Sequence, residues 1–223
     1  MKKNIIITII ILAVLALGFV LYKASPPPAS SVSVDFNVNN VKPLTEPLPV
    51  QADDHILGNP EAKNTIVAYE DIQCPACRNY EPILKSLPQE LPDTKVVFRH
   101  FPLVTIHRNA AFAAVASETA GAQGKFWEFT NIAYDKQAEW ENLANPTEKF
   151  VSYAQAAGVT DMERFKKELG EQTYKSRVEQ NLVEGLGLNV NATPTLYFNG
   201  KKIEVDSAAS VKKQVEAMGL IKN

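Results

Sequence analysis

The sequence predicts an α/β fold in two halves, parted by a long helical stretch. Three observations carry this reading. A β-branched run, Thr65–Tyr69, is followed by a helical segment and then by a second strand, Lys95–Phe101. Residues 108–186 contain no strong strand signal. Strand character returns at Thr195–Phe198, followed by Asn199-Gly200 and a return strand Lys201–Val205. The first group is a β-α-β unit, which implies a parallel pair. The last group is a hairpin, closed by a strong type I′ turn signal.

The bulk properties agree with a globular chain. It has 223 residues, 45% hydrophobic and 22% charged. That is enough apolar material for one or two cored domains. Disorder, collagen and coiled coil do not fit this composition. Two cysteines exclude a disulfide-stapled mini-protein and a four-cysteine metal or iron–sulfur site. A pI near 6.0 removes the electrostatic argument for nucleic acid. Residues 1–23 hold Lys2, Lys3 and Lys23 and no acid, so the remainder is more acidic than the average.

In chain order, Ile5–Tyr22 is an apolar run interrupted only by Thr8 and Gly18. As a helix it spans roughly 27 Å, close to a bilayer core. Lys2 and Lys3 place its start in the cytoplasm and the rest of the chain outside. Residues 1–23 are therefore expected to be a single-pass membrane anchor. A cleaved signal peptide is the alternative, but Tyr22-Lys23-Ala24 does not offer the usual small-x-small site. Both readings export the domain. Residues 24–52 read as a Pro/Ser-rich linker, a spacer that buries no core, with a short strand at Val32, Val34 and Phe36 as a minor option. Residues 53–223 read as one domain.

Within it, Cys74-Pro75-Ala76-Cys77 follows the first strand, and Arg78 to about Leu91 reads as helix. Pro75 suits a first helical turn, Pro82 should kink the helix and Pro88 should end it. Arg108–Gln123 is Ala-rich, Phe126–Gln137 aromatic and Thr147–Ala157 short. Asp161–Leu186 reads as one long helix capped by Asp161. Val211, Val215 and Met218 mark a final amphipathic helix. Trp127, Phe126, Phe129 and Tyr134 read as core rather than as a ligand box.

The spacing and position of the cysteines point to redox chemistry. Cys74 follows a buried strand and opens a helix, where free amides and the helix dipole favour a thiolate. Cys77 lies one turn on, as the less exposed resolving thiol. Three other readings compete: a structural disulfide, half of a zinc site, and two inert thiols. His55, His100 and His107 are too scattered for a recognised metal spacing, so no metal is expected. His100 and His107 read as structural, one of them bordering the site.

Four further segments complete a resemblance. IVAYEDIQCPAC (66–77), FRHFPL (98–103) followed by His107, GKFWEFTNIAY (124–134) and GLNVNATPTLYFNGKKI (187–203) together resemble the DsbA-like branch of the thioredoxin superfamily. The resemblance covers residues 53–221. It implies a thioredoxin fold with a helical domain inserted at about 108–186. It implies a cis peptide at Thr193–Pro194, facing the Cys-Pro-Ala-Cys motif. Thr193, with Pro75 and Ala76, would then contact substrate, paired as an added strand while joined to Cys74. Two departures stand out. Ala68 occupies the place where relatives carry an acid, leaving Glu70 and Asp71 as possible proton relays. Pro75-Ala76 also lacks the histidine of the strongest oxidases, which suggests a less oxidising pair.

The expectation is an extracytoplasmic thiol–disulfide oxidoreductase that introduces disulfides into exported proteins. It would be a monomer, with no cofactor beyond the Cys74–Cys77 disulfide. A membrane quinone-linked oxidase of DsbB or vitamin-K-epoxide-reductase type would reoxidise it. A reductase of the same compartment is the alternative, ahead of an isomerase; a redox-inactive binding or chaperone module is a third reading.

Overall fold

A computed structural model of the chain describes residues 31–204 and 206–218. The anchor expected at 1–23, the first part of the linker and Val205 lie outside the described residues. Among the described residues, no helix is long and apolar enough to cross a membrane.

The strands are β1 (His55–Leu57), β2 (Asn64–Glu70), β3 (Thr94–His100), β4 (Thr195–Phe198) and β5 (Lys201–Ile203). The helices are α1 (Pro75–Glu90), α2 (Ala110–Gly121), α3 (Phe126–Asp135), α4 (Gln137–Trp140), α5 (Thr147–Ala156), α6 (Met162–Gly170), α7 (Lys175–Gly187) and α8 (Ala208–Ala217). One sheet takes the order β1-β3-β2-β4-β5. β2 and β3 are parallel, as the β-α-β pattern predicts, and the other pairs are antiparallel. This is a thioredoxin-like α/β fold with a mixed sheet.

Strand periodicity decides which layer each side chain joins. Ile66 and Ala68 face the layer that holds Leu84 and Leu87 of α1 and Val211 and Val215 of α8. Val67 and Tyr69 face the opposite layer, with Phe101, Leu182 and Leu188. A third core fills the helical insertion, built on Phe112, Phe129, Trp140, Phe150 and Phe165.

Several expectations change. The helix read as Asp161–Leu186 is two helices, α6 and α7, parted by a turn in which Gln172 takes φ 51. Asp161 does cap the first of them, accepting from Arg164 N at 2.9 Å. α1 does end near Pro88, at Glu90, where Leu91 N closes the helix on Leu87 O at 2.9 Å. β1 has no counterpart in the sequence reading, and β5 stops at Ile203.

The segment 32–50, expected as a spacer without a buried face, lies along the domain instead. Val32, Val34 and Phe36 pack on the insertion core, and Leu44 and Val50 pack beneath α7. Leu44 N donates to Gly187 O at 2.8 Å. A Cβ on Gly187 would collide with the Lys42 carbonyl, so glycine is what lets the strap approach.

A buried ion-pair hub fastens this strap. Arg99 of β3, 1% exposed, pairs with Asp54 at 2.9 Å and with Glu184 of α7. Its guanidinium also donates to the carbonyls of Leu48 and Pro49, each at 3.1 Å. Glu184 accepts from Leu48 N and from the Tyr69 hydroxyl, both at 2.7 Å. Removing one member leaves a buried charge without its partner. Glu184→Ala is therefore expected to lower the unfolding free energy by about 3–5 kcal/mol. Urea denaturation checks this, and a loss under about 1 kcal/mol would refute the hub's role.

Candidate active site

The site forms where β2 ends and α1 begins. Cys74 is the N-cap of α1 in extended backbone geometry, with Pro75 in the first turn, where its missing N–H costs nothing. Cys74 N donates to Asp71 O at 3.0 Å, and Cys74 O accepts from Arg78 N at 3.1 Å. The sulfur sits at the positive end of the helix. Pro75 is exposed and Ala76 half-buried beside it. Both cysteines are free thiols.

The two sulfurs are pushed in opposite directions. Cys74 is pulled down to about 5, first by the Cys77 thiol donating to it. Burial opposes this, while the Thr193 side chain and the amides of Cys77 and Ala76 add to it. Cys77 is pushed well up, first by burial, then by the hydrogen bond its thiol gives Cys74 and by the charges of Glu70 and Cys74. It is fully shut off from solvent, whereas Cys74 keeps 6% exposure.

Across from Cys74, the Thr193–Pro194 peptide is cis. Thr193 O accepts from the Cys74 thiol at 3.4 Å. Thr193 Oγ1 is buried and makes no other hydrogen bond among the described residues, which leaves it to the Cys74 sulfur.

Glu70 and Asp71 are adjacent in sequence and differ in circumstance. Glu70 ends β2, fully buried, and burial pushes its carboxyl up to about 8. The Cys77 thiol and the Tyr134 hydroxyl pull it partly back, Tyr134 donating to Oε2 at 3.1 Å. Asp71 Oδ1 accepts from Gln73 N at 2.7 Å, and Oδ2 from Leu103 N at 2.9 Å and His107 Nδ1 at 2.7 Å. Asp71 N donates to Cys77 Sγ at 3.5 Å. Its carboxylate is thus occupied as a clamp, and Glu70 is the member of the pair with its carboxyl toward Cys77.

Several neighbours lay beyond the sequence reading. Tyr134, read as core, touches Glu70. His107 is raised first by its bond to Asp71, opposed by burial, and then by the charges of Asp71 and Cys74. The Asp71 bond and the Cys74 charge favour its protonated form, so it places beside the site a histidine that the Pro75-Ala76 dipeptide lacks. Gln73 accepts from Asn109 N at 2.8 Å and donates to Glu141 O at 2.9 Å, tying the cysteine loop to the insertion. Only the helical spacing of Phe126, Thr130 and Tyr134 hinted at one shared face.

His55 and His100, read as scattered, both reach Glu118, at 3.0 Å each, while His107 stays with Asp71. Among the described residues, no group of three His, Cys, Asp or Glu side chains is placed to hold a metal ion.

Ionisation at Cys74 links to stability. Its folded value, about 5, lies below the ordinary thiol value of 9.0. Between those values the unfolded chain keeps this proton and the folded chain does not, so the Cys74 contribution to the reduced protein's stability rises from pH 5 to 9, opposed below about 8 by the raised Glu70 carboxyl. The Cys74 contribution is lost as pH falls through about 5, and Cys74→Ser should shift the slope downward across this range. Urea titrations of the reduced protein across this range measure it; an unchanged slope in the variant would refute the assignment.

The thioredoxin family model (Thioredoxin_4) matches residues 51–217. The protein described as Na(+)/H(+) antiporter NhaA 1 of Salinispora arenicola is 35% identical over 157 residues, covering 70% of this chain and 23% of its own length. The chain thus spans about a quarter of the curated relatives it matches. Among solved structures, oxidised BdbD of Bacillus subtilis superposes with a TM-score of 0.62 at 25% identity, covering 84% of this chain and 97% of that one. A thioredoxin-like oxidoreductase of Silicibacter pomeroyi shares the fold, with a TM-score of 0.62 at 23% identity over 77% and 95% of the two chains. The family match runs through nearly the whole described domain and takes in the sheet, the cysteine pair and the cis-proline strand, so the chain belongs to the thioredoxin family.

Proposed function

We propose that this chain is a thiol–disulfide oxidoreductase working outside the cytoplasm, in the direction of dithiol oxidation. The observation that carries the reading is the opposed ionisation of Cys74 and Cys77. A pair poised in this way exchanges disulfides, because the low-pKa sulfur is both nucleophile and good leaving group. The likeness to BdbD, solved in an oxidised form, supports the thiol–disulfide part of this reading.

In the forward direction a substrate thiolate attacks Cys74 Sγ of the disulfide form. The Cys74–Cys77 bond breaks, a mixed disulfide forms, and Cys77 leaves as a thiolate. Glu70, raised to about 8, is the acid at hand to protonate it. The substrate's second thiolate then attacks the substrate sulfur of the mixed disulfide. Cys74 leaves as the stabilised thiolate, and the substrate carries the new disulfide. During the mixed-disulfide stage a substrate segment pairs along Thr193, with Pro75 and Ala76 forming the rest of the contact.

Substrates in this reading are exported proteins with free thiols. A membrane quinone-linked oxidase of DsbB or vitamin-K-epoxide-reductase type reoxidises the pair. The redox-active disulfide is the only cofactor, nucleic acid has no part, and the chain acts as a monomer. Residues 1–23 hold it at the cell membrane as a single pass with the domain on the outer side.

Two measurements test this. A thiol value of about 5 falls between those of thioredoxin and DsbA, about 7 and about 3.5. The reduction potential should therefore lie between theirs, about −270 and about −120 mV. A potential near −270 mV with a mostly reduced pair in the cell would overturn the oxidase direction. Separately, Cys77→Ala should accumulate mixed disulfides through Cys74, visible on non-reducing gels. Absence of such species, with Cys74→Ser retaining full exchange activity, would overturn the enzyme reading altogether.

A further inference from the structure

A substrate's second cysteine meets the mixed disulfide as a thiol with an ordinary value of about 8.5, and only its thiolate attacks. The exchange steps give Cys77 an acid, Glu70, and leave this substrate proton without an acceptor. The loop between β3 and α2 carries a group placed to take it.

That loop is fastened to the turn before Cys74. Leu103 N donates to Asp71 Oδ2 at 2.9 Å, and Asn109 N donates to Gln73 Oε1 at 2.8 Å. The Asn109 side-chain amide also reaches the carbonyls of Trp140, Glu141 and Leu143. Between these anchors His107 N donates to Leu103 O at 2.9 Å, and His107 O accepts from Ala110 N at 3.2 Å. The backbone at His107 is therefore set against the cysteine turn.

The ring is set as well. Nδ1 donates to Asp71 Oδ2 at 2.7 Å. In the neutral ring that bond keeps the proton on Nδ1 and makes Nε2 the lone-pair nitrogen. The side chain is 16% exposed, so a reactant can reach it. Asp71 O accepts from Cys74 N at 3.0 Å, so one residue holds both the active cysteine and this ring. The charged groups acting on the ring are Asp71, Cys74 and Glu141, and Arg108 is its chain neighbour. The Cys74 charge depends on redox state. It is absent while Cys74 is in a disulfide and returns when Cys74 leaves as a thiolate. The ring is thus the better base before the step, and its protonated form is the more favoured after it.

We propose that His107, oriented by Asp71, is the catalytic base for the substrate's second thiol. The proposal rests on Cys74 and Cys77 exchanging disulfides with a dithiol substrate. In the mixed disulfide, His107 Nε2 takes the proton of that thiol. The thiolate attacks the substrate sulfur bonded to Cys74. The substrate S–S bond forms, the bond to Cys74 breaks, and its electron pair stays on Cys74 Sγ. The proton stays on His107 beside the new thiolate until the pair is reoxidised, when solvent takes it. The two electrons of the substrate dithiol end on the Cys74–Cys77 pair, and no further reactant is needed.

The test uses the Cys77→Ala protein joined through Cys74 to a peptide that carries a second cysteine. Release of the peptide disulfide is timed from pH 6 to 9. About 3% of such a thiol is ionised at pH 7, so a base can gain at most about thirtyfold there. His107→Asn keeps a donor for Asp71 and removes the base. It should slow release about tenfold at pH 7 and come within about twofold of native at pH 9, where the thiol ionises unaided. A second peptide carries selenocysteine as its attacking residue, already ionised at neutral pH. Its release should be slowed less than about twofold at every pH, which also shows that the variant site is intact. A native rate for the cysteine peptide at pH 7 would overturn the base. So would equal slowing of both peptides, or slowing that persists at pH 9, since either marks a structural role. No release from the protein that retains His107 would overturn the exchange reading instead.

Discussion

The Asp71 carboxylate accepts hydrogen bonds from Gln73 N, Leu103 N and His107 Nδ1, while its own amide meets Cys77 Sγ and its carbonyl accepts from Cys74 N. Five contacts on one residue join the end of β2, the first turn of α1 and the loop leaving β3. A carboxylate with this many donors is fixed in orientation. The position of Cys74 at the helix start depends on that loop holding its shape, and so does the screening of Cys77. His107 is held in the same way, so its ring has a set place beside the cysteine loop. The geometry in which the two sulfurs meet follows from these Asp71 contacts.

A second buried carboxylate, Glu184, does comparable work on the far face of the sheet. It gathers Arg99, Tyr69 and the strap at Leu48. Arg99 in turn reaches two carbonyls of the strap and Asp54. The strap, β3 and α7 therefore share one network. The segment that composition describes as a spacer becomes, over 32–50, part of the domain's packing.

Much of the architecture was legible in the sequence. The β-branched runs, the Asn199-Gly200 turn and the strand-free stretch fixed the order of the two halves, because each reflects a local period. What escaped detection depends on tertiary partners. β1 is three residues long and shows no alternation, so only its pairing with β3 defines it. Gln172 breaks the long helix by a left-handed backbone that its side chain does not announce. Arg99 sits inside an apolar run, where its burial depends on Asp54 and Glu184, far away in the chain. At the site, the cysteines were readable from spacing and position, and Thr193–Pro194 from the family resemblance. The parting of Glu70 from Asp71 was not, since both are acids beside the same loop. Their separate fates come from strand parity: Glu70 continues the inward face of Ala68, and Asp71 already belongs to the turn.

Ala68 has a consequence for how such chains are recognised at all. A β-strand presents the same face every second residue, so a group lost at one inward position can return two positions on without leaving its compartment. In this chain the acid on that face is Glu70, one pleat, about 7 Å, beyond Ala68 on the same strand. A position-by-position template would score this chain as lacking its buried acid. Read by face instead of by position, the strand still has one, and motif grammar for sheets is better written in steps of two.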